Sequence, residues 1–238
     1  MQDVLTGEIL DYFGGRQDLK NRIIRHVDDH TFIEDPLRVL RASQFAARFN
    51  FTVDSKTIEL SKQLDLTKLP HERIYTELDK ALLKSNRPSV FFNTLRDMDQ
   101  LTYWFPEVQS LIGCPQNPVY HPEGDVYTHT MNVIDNASIV KQKASDSRAF
   151  MLAALCHDFG KPATTEFNEK KQTYTSYGHD QAGVEPAQHF IKRVYNHNQL
   201  NTYVKTMTFC HMMPHLLNAD QSSQTAFMKM ANFSNLTQ

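Results

Sequence analysis

Residues 149–161 read AFMLAALCHDFGK, an unbroken apolar run that ends in the adjacent pair His157-Asp158 and then a glycine. A helix that is apolar on every side has to be buried, so this stretch drives an imidazole and a carboxylate toward the interior at its C-terminal end. A pair buried there needs hydrogen-bond partners or a metal ion to satisfy it. Gly160 and Pro162 are expected to stop the helix.

A divalent ion needs more than two ligands, and eight of the eleven histidines lie from His121 onward. In GDVYTHTMNVIDNASIV, residues Val126, Val133, Ile134, Ala137 and Val140 predict a helical apolar face with His129 one turn before Val133. His179 follows in YGHDQAG, and His211 and His215 in FCHMMPH. A lone histidine on an apolar face is more often a hydrogen-bonded core residue than a ligand. Three ligand-type groups on two apolar helices, His129, His157 and Asp158, favour the metal; His179 and His211 are further candidates, with His215 behind them.

The order His129, His157-Asp158 followed by Gly-Lys, and then Gly178-His179 resembles an HD-type metal-dependent phosphohydrolase domain. That resemblance implies a helical domain whose metal activates water for attack on phosphorus. It makes His157 and Asp158 the catalytic pair and His129, His157, Asp158, His179 and His211 the metal ligands. Imidazole and carboxylate donors suit Mg²⁺, Mn²⁺ or Ni²⁺. The family's additional late aspartate has only Asp220 as a candidate here, and the last ligand is expected beyond Gln238.

A second signal lies at residues 34–51, EDPLRVLRASQFAARFNF. Asp35 and Pro36 read as N-cap and first residue of a helix. Val39, Ala42, Ala46 and Phe49 predict an apolar stripe, and Arg38, Arg41 and Arg48 a cationic flank. Taken by themselves, the arginines read as a solvated face and Asp35 as a cap. The longer string of residues 7–51, GEILDYFGGRQDLKNRIIRHV…FIEDPLRVLRASQFAARFNF, resembles the neck of bacterial CCA-adding tRNA nucleotidyltransferases, relatives of bacterial poly(A) polymerases. The resemblance implies that Asp35, Arg38 and Arg41 bind nucleotide, with Asp35 and Arg38 selecting the incoming base. A spacing of three on a helix makes the two side chains neighbours. A carboxylate accepts from the exocyclic amine of cytosine or adenine and a guanidinium donates to the adjacent ring acceptor, a pattern that uracil and guanine reverse. Tyr12 and Gln44 depart from the family, which has proline and a third arginine there.

The resemblance continues through LPHERIYTELDKALL and LRDMDQLTYWFPEV into the HD region, so it covers nearly the whole chain. It implies an all-α fold, with residues 1–115 as neck and body and residues 116–238 as an HD domain incomplete at its C-terminus. It also implies CTP, ATP and tRNA as partners. The transferase head of that family, with its Gly-Ser turn and metal-holding carboxylate pair, is not found before Gly7. The one Asp-x-Asp string, Asp97-Met98-Asp99, falls in a helical pattern.

Composition agrees with this outline: 238 residues, 40% hydrophobic, can form two modest cores. Only eight glycines and few alternating runs predict little sheet beyond a short hairpin near residues 164–177. No apolar run is long enough to span a bilayer, and the N-terminus lacks the features of a signal peptide. Three widely spaced cysteines fit a reducing cytosol, so a cytoplasmic location is expected. A net charge of −2 gives no global basic footprint, and tRNA binding requires a local patch from Arg22, Arg25, Arg38, Arg41 and Arg48, with Lys192 and Arg193 farther on. A proline-rich loop at residues 114–122 marks the expected domain boundary. Two readings stay open at this level: part of a multifunctional CCA-adding enzyme that hydrolyses phosphoesters, or a fragment that binds RNA or nucleotide without activity of its own.

Overall fold

A computed structural model describes residues 3–235. The chain is mainly helical and divides into two compact units, Met1–Gln100 and Leu101–Gln238.

In the first unit the central element is the helix Leu37–Phe49, which packs against the helices His71–Lys84 and Ser89–Asp97. Val39, Leu40, Ala46, Ile74, Leu78, Leu82, Phe91, Phe92 and Leu95 are fully buried along these contacts, following the helical spacing of the apolar residues. Each buried Leu or Phe contributes about 1.5–3 kcal/mol against leaving it exposed. Phe49, expected in the apolar stripe, lies instead on the solvent side. It stacks on Phe45 at 5.9 Å, with the Arg48 guanidinium 5.3 Å from its ring. A two-residue parallel pairing, Ile23–Ile24 with Thr52–Val53, ties the start of the unit to the end of the central helix. No alternating pattern foreshadows so short a pairing.

In the second unit the helix Ser147–Cys156 is buried by Val126–Val140 on one side and Asn198–Cys210 on another, and Val184–Val194 packs on the latter. Asp146 caps it, accepting from the N–H groups of Arg148 at 2.9 Å and Ala149 at 3.0 Å. The buried residues Ala149, Met151, Leu152, Ala153, Leu155 and Cys156 go round the helix, as an all-apolar sequence requires. On Val126–Val140 the buried face is Val126, Tyr127, Thr130, Met131, Ile134 and Ala137; Val140, expected there, is exposed. The expected hairpin forms from strands Glu166–Asn168 and Thr173–Thr175, antiparallel, with Phe167 opposite Tyr174.

Two expectations change. Pro162 does not terminate the apolar helix, which ends at Cys156; it sits in the first turn of a new short helix, Lys161–Thr164, where its missing N–H costs nothing. The segment from Leu101 to Cys114 packs within the second unit, because Phe105 meets Phe190 at 6.3 Å and Arg193 pairs with Glu107. The compact units therefore separate at Gln100 and not in the proline-rich loop.

Candidate metal centre and nucleotide cleft

The buried helix delivers His157 and Asp158 at its C-terminal end, and Asp158 is 2% exposed. Three other elements bring imidazoles to it. His129 comes from the first turn of Val126–Val140, His211 from the C-cap of Asn198–Cys210, and His179 from the start of the short helix His179–Ala182. The approach of that short helix depends on glycine. A Cβ on Gly160 would stand 2.0 Å from the His179 carbonyl oxygen and 2.4 Å from the Gly183 nitrogen. Gly160 is thus a close-packing residue and not a helix stop.

The imidazoles are oriented alike. The Nδ1–H groups of His157, His179 and His211 donate to the carbonyl oxygens of Ala154, Ser176 and Thr208 at 2.8, 2.7 and 2.6 Å. His129 Nδ1 is 2.6 Å from Glu123 Oε1. With Nδ1 occupied, every Nε2 faces the Asp158 carboxylate. His157 and His129 stand 3.1 and 3.7 Å from Oδ2, and His179 and His211 stand 3.4 and 3.8 Å from Oδ1. Lys161 Nζ lies 2.8 Å from Oδ2 and 2.7 Å from Gln116 Oε1.

Burial tends to raise the pKa of Asp158, but His157 and Lys161 beside it outweigh burial and hold the carboxyl well below its usual range. Burial works against the charged form of His157 too, yet adjacent Asp158 raises it. Burial lowers His129 in spite of its bond to Glu123, and lowers His211 to about 4. Glu123, with its own backbone N–H, His129 and His121 as donors overcoming burial, is held at about 2.

The arrangement fits a cation by its donor chemistry. Nε2 of His179 and Nε2 of His211 are only 3.1 Å apart, and each ring has already placed its proton on Nδ1. Two lone pairs aimed at each other repel, and a cation shared between them and the carboxylate removes the conflict. Each carboxylate oxygen faces its own pair of imidazoles, so the residues fit one ion or two.

All five residues expected as ligands, His129, His157, Asp158, His179 and His211, thus come together. His215 and Asp220 do not; both are exposed and away from this group. Sequence reasoning missed Glu123, His121 and Lys161. Glu123 and His121 belong to a proline-containing loop, where no periodicity points a side chain at His129, six residues after Glu123. His121 Nδ1 shares Glu123 Oε1 at 3.1 Å.

The first unit holds a separate cleft of about 520 Å³ whose lining includes Asp35, Arg38 and Arg41 together with Arg25, Thr31 and Phe45. Asp35 Oδ1 accepts the Leu37 N–H at 3.2 Å, the bond expected of a cap placed before Pro36, and Arg73 Nη2 lies 3.2 Å from Oδ2. Arg38 Nη1 donates to the Thr31 carbonyl. Gln44 is 1% exposed and outside this lining, so the residue standing for the family's third arginine points into packing.

Comparisons with known proteins match two separate stretches of the chain, the first of which crosses Gln100. Residues 50–112 match the family described as the probable RNA and SrmB-binding site of polymerase A, and residues 126–225 match the HD domain family. The multifunctional CCA protein of Pasteurella multocida is 38% identical over 236 residues, which span 96% of this chain and 54% of that protein. Along nearly its whole length the chain is similar to multifunctional CCA proteins. Its Haemophilus influenzae relative of the same name is 40% identical over 197 residues, covering 79% of this chain and 46% of the relative. The chain spans about half the length of the curated CCA proteins it matches. Solved CCA-adding enzymes share its fold: the Thermotoga maritima enzyme complexed with tRNA has a TM-score of 0.56 at 17% identity, covering 93% of this chain and 47% of that one. A tRNA nucleotidyltransferase complexed with a primer tRNA and an ATP analog gives 0.55 at 21%, covering 97% and 60%. Among the described residues no helix is long and apolar enough to cross a membrane.

Proposed function

We propose that this chain contributes two activities to a multifunctional CCA-adding tRNA nucleotidyltransferase of the bacterial cytoplasm. The first unit selects CTP and ATP and helps bind tRNA, and the second hydrolyses phosphoesters with a divalent metal. The observation that carries the second activity is the convergence of four Nε2 atoms on one buried carboxylate.

In this reading His129, His157, Asp158, His179 and His211 hold Mg²⁺, Mn²⁺ or Ni²⁺. When bound, the metal supplies a Lewis acid for the phosphoryl oxygens and lowers the pKa of water. Asp158 provides the anionic ligand, and its low pKa keeps it ionised across the physiological range. Backbone carbonyls fix three of the imidazoles in the ligand tautomer, and Glu123 fixes the fourth. Lys161 and Gln116 hold the carboxylate in place and leave a positive charge where a phosphate arrives. The accessible phosphoesters are cyclic or terminal phosphates on nucleotides or RNA ends.

In the first unit, Asp35 and Arg38 present an acceptor and a donor for the base edge, and Arg41 lies in the same cleft for the triphosphate. Both base-reading groups hold other partners, Arg73 and Thr31, which an incoming nucleotide has to displace.

The test is thermal melting of the purified chain with and without Mn²⁺, Ni²⁺ or Mg²⁺, alongside hydrolysis of a nucleoside 2′,3′-cyclic phosphate. An ion that binds only the folded form raises Tm. The parent is expected to show the rise and the hydrolysis, and Asp158→Asn to lose both. A parent with no metal-dependent rise, paired with an Asp158→Asn protein that is merely less stable, rules the reading out.

A further inference from the structure

The cleft around Asp158, about 660 Å³, carries a second set of residues that metal binding leaves without a role: Tyr120, Tyr177 and Lys171. Tyr120 is 77% exposed and Tyr177 65% exposed, and both line this cleft beside its histidines and Lys161. Aromatic rings left wet beside a charged cleft act as surfaces for a flat partner, since their faces stack while their hydroxyls stay in water. Lys171 Nζ donates to the Tyr177 hydroxyl at 2.6 Å and stands 5.3 Å from the centre of its ring.

As a bare staple of the hairpin, the Lys171–Tyr177 contact accounts for the hydrogen bond. It leaves unexplained why both rings are exposed at this cleft, and why the hairpin puts an ammonium there. Position supplies the rest. Tyr177 precedes His179 by two residues, so their Cα atoms are within about 7 Å. That is the scale on which a nucleotide separates its base from its phosphate. The same short segment thus offers an aromatic face and, through His179, a group at the phosphate end.

We propose that Tyr177 and Tyr120 form a stacking platform for a nucleobase and that Lys171 meets the sugar-phosphate beside it. The second unit then acts on a terminal nucleotide, free or at the end of an RNA strand, and discriminates against phosphoesters that lack a base. For its chemistry this rests on the phosphohydrolase reading, but binding is measurable apart from turnover.

Binding is measured by equilibrium dialysis on the full chain in Mg²⁺, with Arg38→Ala in every protein to weaken the first unit's cleft. The ligands are the non-hydrolysable phosphonate analogues of AMP and of ribose 5-phosphate, and a 3′-phosphorylated RNA trinucleotide. Because a stacked base changes affinity by about 5-fold or more, the AMP analogue is expected to bind at least about 5-fold more tightly than the ribose analogue. Tyr120→Leu with Tyr177→Leu should erase that preference, Tyr177→Phe should keep it, and Lys171→Met should weaken both analogues alike. Once the double leucine variant has erased the AMP preference, unchanged affinity for the trinucleotide identifies the free nucleotide as the ligand and a parallel loss identifies an RNA end as well; either supports the platform. Equal affinity of the parent for the two analogues, no binding of either, or a preference that survives the double leucine variant overturns it. Absence of metal-dependent hydrolysis with the preference intact overturns the phosphohydrolase reading and leaves the platform standing.

Discussion

Replacing Gly160 by alanine puts a methyl group 2.0 Å from the His179 carbonyl oxygen, 2.4 Å from the Gly183 nitrogen and 2.9 Å from the Gly183 Cα. All three obstacles are backbone atoms, so no side chain can swing aside. Reaching ordinary contact at 3.4 Å requires the segment around His179 and Gly183 to retreat by about 1.4 Å. Gly160 has a φ of −83°, so alanine meets no dihedral penalty and the effect is purely steric. Overpacking of this kind costs about 1–3 kcal/mol, which corresponds to a few degrees of Tm per kcal/mol. The functional effect is larger, because His179 Nε2 starts 3.4 Å from Asp158 and 3.1 Å from His211 and a metal tolerates only about 0.2 Å in ligand distance. Gly160→Ala should therefore fold, melt lower without metal, and lose most of the metal-induced rise in Tm. Gly113→Ala is the control: its φ of +74° strains alanine by about 1–2 kcal/mol, but nothing lies within 4 Å of the new methyl, so the metal-induced rise should survive. A Gly160→Ala protein that keeps the parent's metal response refutes the close-packing role.

Glu123→Gln removes the anion behind His129, and metal affinity measured by calorimetry should fall about 10- to 100-fold with the other ligands in place. Arg38→Ala should equalise CTP and UTP binding in a filter assay while leaving the unfolding free energy within about 0.5 kcal/mol of the parent's, since its side chain is only partly buried. In metal-free protein His211 titrates near 4 against an ordinary 6.5, so the unfolded chain takes up its proton first. Its contribution is complete above pH 6.5 and is lost as pH falls toward 4, about 3 kcal/mol in full at 1.36 kcal/mol per unit. Urea unfolding across that range, compared with His211→Gln, isolates the effect from His157, where Asp158 overcomes burial to shift the pKa the other way.

The apolar helix and its terminal His157-Asp158 were readable because burial of an all-apolar stretch depends on the local sequence alone. His129 was readable because its helix carries a periodic face. His179 and His211 were visible as residue types, but His179 reaches Asp158 through the passage of one backbone over another at Gly160 and Gly183, and His211 through the packing of Asn198–Cys210 on the apolar helix, both contacts between distant segments. For the same reason Gly160 looked like a stop signal: a glycine after a helix reads the same whether it ends the helix or admits another chain. Glu123 was hidden by its loop, and Phe49 was misassigned because a helical stripe does not say where its last turn leaves the core. In the first unit, the spacing brought Asp35 and Arg38 to one cleft, while Arg73, which holds Asp35, comes from a helix the local pattern cannot place beside it.

The ligands of the candidate metal centre come from four separated stretches of chain, and His179 and His211 alone are 32 positions apart. An ion held by all of them is a cross-link, formed without oxidation in a unit whose cysteines 114, 156 and 210 are all free. Closing loops of this size restricts the unfolded chain by on the order of 3–5 kcal/mol in the chain-entropy picture, comparable to a disulfide. Metal supply would then govern how long the second unit survives proteases as well as how fast it turns over, and a chelator would act on it as a reducing agent acts on a secreted protein.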